Sequence, residues 1–435
     1  MQGSPSFDHK NYNMSQIRFI HTGDLHLDTP FKGLSSVNRE LAGRLKDATF
    51  KSFQRIIDIC IEESVDFLLI TGDIFDSEIQ SLAAQLRFVK ELERLSARGI
   101  HAYLICGNHD PLNSWMEELK MPENVFRFGA TEVECFTFKN DGKPVADIYG
   151  ISYGTRAENR SLADTYVLKE NPAPFSIALL HGTIGPAGAH ENYVPFRLED
   201  VKSKGFDYWA LGHIHKHHVV HPAHPAIVYP GNPQGRDFGE TGQRGCYSVF
   251  LTENQAPEMT FVPTQSIRFE EVVADLTGLD NIGELTGRIY GAVEEPEGSR
   301  QDSASILRVT LIGRTALHGL LHRPGETRNL LGMLNEGQLQ QEFFTLFDKL
   351  ILQTMPDVDL DEMKEANDFT AEILRSFDRL ESDQAQLTEL FSILEQEFGS
   401  QQAKRELDDL TEEEKKEILD DARWQLLDQL IKDQS

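Results

Sequence analysis

Five short segments of the chain share one design: an apolar run ends, and a glycine-flanked turn presents Asp, Asn or His. They are Gly23-Asp24-Leu25-His26, Gly72-Asp73-Ile74-Phe75-Asp76, Gly107-Asn108-His109-Asp110, His181-Gly182 and Gly212-His213-Ile214-His215. Carboxylate and imidazole without thiolate suit Mn²⁺, Fe²⁺ or Zn²⁺, whereas structural zinc usually relies on cysteine. Two such ions can sit about 3.5–4 Å apart when a ligand bridges them. Asp73, with two oxygens to share, is the natural bridge. Asp24, His26 and His215 then join Asp73 around one ion, and Asn108, His181 and His213 join it around the other. The pairs Asp24/His26 and His213/His215 are spaced so that one segment can serve the cluster twice. His109, directly after a proposed ligand, is read as uncoordinated and acting on the substrate. The chemistry predicted is hydrolysis of a phosphoester by a water that two ions activate, with His109 assisting the leaving group.

A single Gly-Asp-x-His is ordinary turn chemistry, and so is a lone Asn-His-Asp. Five such turns in order, each after a predicted strand, are not. The remaining candidates take plainer readings. Asp28, Asp76 and Asp110 are expected to orient imidazoles or cap turns, because a ligating ring needs an acceptor for its other nitrogen. His217, His218, His221 and His224 read as loop residues, and His101, His190, His318 and His322 as surface or packing residues.

The elements that must carry these turns are short. Gln16 to Ile20, Asp66 to Ile70, Ala102 to Ile105, Ser176 to Leu180 and Tyr208 to Leu211 read as buried strands. Arg39 to Glu63 and Ser81 to Arg98 carry apolar residues at helical spacing, with Gly99 placed as a stop. Such βαβ alternation implies a layered α/β sheet, in which ligands bind beyond the carboxyl ends of the strands. Ala226 to Tyr229 and Cys246 to Leu251 are two further strands, and the Gly-rich Pro230 to Gly245 between them reads as a wall of the site.

Residues 14–263 are expected to form the catalytic domain and 264–325 a small α+β domain. The latter reads as strand Ile267 to Val273, helix Asn281 to Val293, an acidic loop Glu294 to Ser303, and strand Ser305 to Leu311. From Arg328 onward the pattern is almost purely helical, so 326–435 is expected to be an acidic helical region, either a partner-binding arm or a solvated bundle. Residues 1–13 are expected to be a disordered extension or an appended remnant, with Met14 a natural start.

The formal net charge is −28. Residues 341–435 alone carry 26 acidic against 10 basic side chains, so the acidity is concentrated at the C-terminal end. No apolar run approaches the roughly 18 residues of a membrane span, which predicts a soluble chain. Cys60, Cys106, Cys135 and Cys246 form no CxxC pair and read as small buried hydrophobes in a reducing cytoplasm.

The five turns resemble the calcineurin-like metallophosphoesterase superfamily, whose pattern D-x-H, G-D-x-x-D, G-N-H-D/E, H and G-H-x-H is met at every position between Ile17 and about Phe261. Phe19 to Asp28, Gly72 to Asp76, Tyr229-Pro-Gly-Asn-Pro-Gln-Gly-Arg236 and Gly245-Cys-Tyr247 are similar to the DNA repair exonucleases related to SbcD, in particular the YhaO-type subgroup. The resemblance implies a β-sandwich flanked by helices, a capping domain and a helical C-terminal region. It also implies a Mn²⁺-dependent exonuclease acting on DNA, an SMC-like ATPase partner engaged through the C-terminal region, and a homodimer. A DNA enzyme calls for basic groups near the site, and Arg156, Arg160, Lys216 and Arg236 are the candidates, Arg156 and Arg236 foremost. The competing readings are a cyclic-nucleotide or small-molecule phosphodiesterase, a protein phosphatase, and a silent scaffold. Protein phosphatases of this superfamily carry an arginine after the second aspartate, where this chain has Ser77.

Overall fold

The computed structural model describes residues 15–29, 39–76, 81–114, 120–156, 161–185, 195–293, 303–397, 400, 404, 407 and 410–433. The expected N-terminal extension, most of the acidic 294–303 loop, Arg160 and His190 lie outside them. By contacts the chain divides into two compact units.

Unit 1 comprises residues 1–270, 298–306 and 337–345. Its elements begin with β1 (Gln16–Thr22), α1 (Arg39–Glu62), β2 (Phe67–Thr71), α2 (Leu82–Ser96), β3 (His101–Ile105) and β4 (Val125–Arg127). Next come β5 (Glu134–Asn140), β6 (Lys143–Gly150), β7 (Phe175–His181), α3 (Leu198–Lys202) and β8 (Tyr208–Gly212). The last are β9 (His218–His221), β10 (Ala226–Tyr229), β11 (Gly245–Thr252) and β12 (Glu258–Pro263). They make two six-stranded sheets, of order β12-β11-β1-β2-β3-β4 and β5-β6-β7-β8-β10-β9.

Strand alternation sorts the core into layers. Phe67 and Leu69 of β2 face the second sheet, while Leu68 and Ile70 pack under α1 and α2 with Phe53, Ile57 and Phe88. β8 does the same in the other sheet: Tyr208 and Ala210 enter the space between the sheets, and Trp209 and Leu211 lie on its outer face with Phe206 and Val201. Every residue of β2, β7 and β8 is buried, as parallel strands covered on both faces must be. α2 starts where the Ser81 hydroxyl accepts a hydrogen bond from the Ala84 amide at 3.1 Å, a cap that satisfies a helix-end donor.

β1 to β4 run parallel, as do β6, β7, β8 and β10. Their carboxyl ends therefore share an edge in each sheet, and the five predicted turns leave from those ends. Several strands went unread in the sequence, β5, β6 and β12 among them. β9 corrects the loop reading of His218 and His221, because it pairs antiparallel with β10.

Unit 2 comprises residues 271–297, 307–336 and 346–435. It holds most of a three-stranded sheet of β13 (Ile267–Asp275), β14 (Ala304–Thr315) and β15 (Thr345–Pro356), in the order β13-β14-β15. α4 (Ile282–Val293) packs Leu285 and Ile289 into one cluster with Leu307, Val309 and Phe347. Beyond β15 the regular elements among the described residues are helices, the longest being Phe369–Ser382, Gln384–Glu397 and Glu412–Asp433. β15 corrects the all-helical reading after Arg328. Its buried residues Phe347, Leu350 and Thr354 fall at three- and four-residue spacing, which mimics a helix in sequence, before buried Pro356 breaks the pattern. No helix among the described residues is long and apolar enough to cross a membrane.

Candidate metal centre

The turns interlock through their backbones before any side chain is considered. The Asp24 amide donates to Gly72 O at 3.0 Å, His26 to Asp73 O at 3.0 Å and Leu27 to Ile74 O at 2.9 Å. Asp24, His26, Asp73 and His213 all take positive φ, at 51°, 43°, 50° and 96°. That conformation costs a non-glycine residue of order 1–3 kcal/mol, so the surrounding bonds must over-determine it. Glycines let the turns approach: a Cβ on Gly212 would stand 2.0 Å from Thr71 O and 2.9 Å from His181 Nδ1, and one on Gly107 2.2 Å from Asp73 Oδ1.

Two groups of possible metal-holding atoms result, Asp24 with His26 and His215, and Asp73 with His181 and His213. Asn108 joins the second group, its Oδ1 lying 2.9 Å from His181 Nε2 and 3.2 Å from His213 Nδ1. Asp73 Oδ2 lies 3.4 Å from His181 Nε2 and 4.0 Å from His26 Nε2, so it faces both groups. All seven residues predicted as ligands are thus brought together. His26, Asp76 and His109 form a third, overlapping group.

The donor set fits a pair of cations. His181 Nδ1 donates to Thr71 O at 2.8 Å, which turns Nε2 toward Asp73 and Asn108. His215 Nδ1 donates to Glu240 at 2.6 Å, which turns its Nε2 toward His26 Nε2, 3.1 Å away. Lone pairs are therefore aimed at oxygens and at one another, an arrangement that shared positive charge resolves. His26 Nδ1 is buried with no hydrogen-bond partner among the described residues, the Asp76 carboxylate lying 3.7 Å away.

The electrostatics make the same demand. Burial pushes the Asp24 carboxyl up to about 6 against the pull of His181 and His215. Burial works against a charged His181, yet Asp73 overrides it and raises the ring to about 9, while Asp73 itself is held well below the carboxylate range. The pair takes up a proton where a divalent ion would serve the same need. His26 and His213, buried among positive neighbours, are pushed down to about 4 and about 3 and so stay neutral, as ligation requires.

His109 adjoins the centre, its ring centroid 5.0 Å from that of His26. Its Nδ1 lies 2.5 Å from Asp76 Oδ1, and its amide donates to Asp73 Oδ1 at 2.9 Å. The Asp76 bond raises the His109 pKa, against burial. Asp76 also accepts from the Thr29 hydroxyl at 2.9 Å, and Arg236 Nη1 lies 3.8 Å from it. Arg156 is exposed, close enough for its charge to oppose that of His109. Asp110 caps the amides of Gly107 and Ile74 at 2.8 and 3.0 Å, and Asp28 accepts from Ser81 at 2.7 Å. Lys216 is exposed.

Sequence reading missed Glu240, Asn232 and Arg244. All three sit in or beside the Gly-rich wall, and the position of Glu240 four residues after Arg236 was the one available hint. Of the cysteines, Cys60, Cys106 and Cys246 are buried, but Cys135 is exposed at the edge strand β5, which corrects the reading of all four as core residues.

Residues 17–217 match the family model of calcineurin-like phosphoesterases, and residues 269–355 match that of the metallophosphoesterase YhaO middle domain. The chain is 35% identical over 419 residues to a Bacillus subtilis (strain 168) protein named uncharacterized metallophosphoesterase YhaO, covering 96% of this chain and 98% of that one. It is 28% identical over 305 residues to the DNA double-strand break repair protein Mre11 of Sulfolobus acidocaldarius, covering 68% and 75% of the two chains. Its identity to the protein of that name from Sulfurisphaera tokodaii is 28% over 220 residues, 47% and 51% of the two. Because the likeness to the Bacillus protein runs through turns, wall and middle domain alike, the chain belongs to the YhaO-type family of calcineurin-like metallophosphoesterases.

Proposed function

We propose that the chain is a two-metal phosphodiesterase that degrades DNA as an exonuclease, with Mn²⁺ as the working ion. The observation that carries the hydrolase reading is the convergence of two lone-pair clusters on either side of Asp73, with a protonatable His109 beside them. The DNA assignment is supported by the Mre11 proteins, which are named for double-strand break repair.

Asp24, His26 and His215 would hold one ion and Asn108, His181 and His213 the other, with Asp73 shared. When bound, the ions supply charge neutralisation at the phosphate and acidify the attacking water. The chain's own groups do the rest. With Nδ1 committed to Asp76, His109 keeps Nε2 as the nitrogen that passes a proton to the departing sugar oxygen. Asp76 raises the pKa of that ring, so the acid form persists to higher pH. Arg236 and Arg156 bring positive charge to the phosphate in a chain that is otherwise strongly acidic. The helical C-terminal region engages an SMC-like ATPase, a role supported by Phe369, Ile393 and Leu394 exposed on its helices. A homodimer through α2 is supported by exposed Leu82 and Leu86.

Mn²⁺ titration with end-labelled linear DNA tests the proposal. Metal-dependent release of nucleotides is expected. Intact DNA alongside hydrolysis of a small diester or a phosphopeptide would move the enzyme to one of the competing classes.

A further inference from the structure

Glu240 is nearly buried, and its carboxylate is saturated with donors. Oε1 receives His215 Nδ1 at 2.6 Å and Arg236 Nη2 at 3.1 Å. Oε2 receives the Arg236 amide at 2.8 Å and Asn232 Nδ2 at 2.9 Å, with Arg236 Nε farther off at 3.4 Å. A carboxylate offers about four acceptor sites, so these donors use its full capacity. The shortest of the contacts is the one to His215.

We infer that Glu240 is a positioning residue, joining the His215 imidazole and the Arg236 guanidinium into one unit. The inference rests on reading His215 as a metal ligand. Because Glu240 can only accept, the proton of neutral His215 stays on Nδ1 and the lone pair on Nε2 points at His26. The same oxygen steers Arg236, whose other end lies 3.8 Å from Asp76, the partner of His109. One side chain thereby links a metal-facing ring to the charge that meets the phosphate. The wall has further ties besides those to Glu240. The His215 carbonyl is held independently by Arg244 Nη1 at 2.5 Å and by the Asn232 amide at 3.1 Å, and Arg244 also donates to Asn232 Oδ1 at 3.0 Å.

Glu240→Gln keeps the shape but offers one oxygen where two are needed, so it sets an amide NH₂ against existing donors whichever way it turns. The test is Mn²⁺ binding to the full chain, stripped of metal, followed by calorimetry and electron paramagnetic resonance. Wild type is expected to bind two ions. Glu240→Gln should weaken one class about 10–100-fold, the usual cost of losing an outer partner of a ligating histidine, and leave the other unchanged. Adding His181→Asn should then weaken the class that remained. Arg236→Met removes the guanidinium that contacts Glu240 and His215 but leaves the His215–Glu240 bond, so it should weaken Mn²⁺ binding less than Glu240→Gln does. Metal-free Glu240→Gln should still unfold in one cooperative transition, with a melting temperature only slightly below that of the wild type, because the lost hydrogen bonds are few. Equal affinities in Glu240→Gln and wild type would overturn the positioning role while sparing the metal assignment. A wild-type chain that binds no Mn²⁺ would overturn both together.

Discussion

His181 and His215 present the same atom to the same cluster, yet the chain anchors them by opposite means. His181 closes β7 and is 2% exposed; its ring donates to a backbone carbonyl, Thr71 O, and its own carbonyl accepts from Tyr153 Oη at 3.0 Å. His215 lies past β8 and is 27% exposed; its ring donates to the Glu240 side chain and its carbonyl accepts from Arg244. One half of the centre is therefore an extension of the sheet. The other is assembled by a loop, which leaves its geometry open to change by single side chains.

Asp73→Asn should produce the largest effect, because it removes charge from both halves at once. The expected result is loss of at least about 10³ in kcat, the upper range for deleting one preorganised electrostatic group, with fewer than two ions retained by elemental analysis. Retention of two tightly bound ions would show that the halves do not share this carboxylate.

His109→Ala comes next and separates the acid from both halves. Turnover should fall about 10²–10⁴-fold, the span for a positioned general acid, while metal content stays at the wild-type value. Loss of an ion together with activity would make His109 a ligand and merge the third group, His26 with Asp76 and His109, into the centre.

The contrast between the halves also explains what could be read from the sequence. The five turns were legible because glycine, strand end and ligand type coincide within four residues, and both sheets' central strands are continuous apolar runs. The acceptor for His181 was invisible, since any residue at position 71 supplies a carbonyl. Glu240 was nearly as hidden for the converse reason: its partners His215 and Asn232 lie 25 and 8 residues away, and only Arg236, four residues before it, marks it locally. The edge strand β5 hid its pattern by exposing most of its residues, and β15 hid behind helical spacing.

Tyr153→Phe removes one hydroxyl from the sheet-anchored half. The His181 carbonyl keeps its place in the turn, so stability should drop by about 1 kcal/mol, the net worth of one such hydrogen bond. Denaturant unfolding measures that loss, and Mn²⁺ affinity should hardly move. A marked loss of affinity would mean that this half, too, depends on side-chain props.

The smallest effect probes the anchor behind Thr71. His21 is fully buried, with Nδ1 3.0 Å from Tyr208 Oη and Nε2 3.5 Å from Thr71 Oγ1. Burial holds its pKa down at about 3, against 6.5 for the free side chain. The unfolded chain therefore takes up a proton as pH falls past 6.5, whereas the folded chain does not do so until near 3. The stability that His21 confers is complete above 6.5 and drains away as pH falls through that window. At pH 6 the loss from this one group is about 0.8 kcal/mol by linkage. Metal-free protein unfolded in urea at pH 7 and pH 6 should show it, and His21→Phe should flatten that part of the profile. An unchanged profile in His21→Phe would mean that the folded chain does not hold this ring neutral over that range.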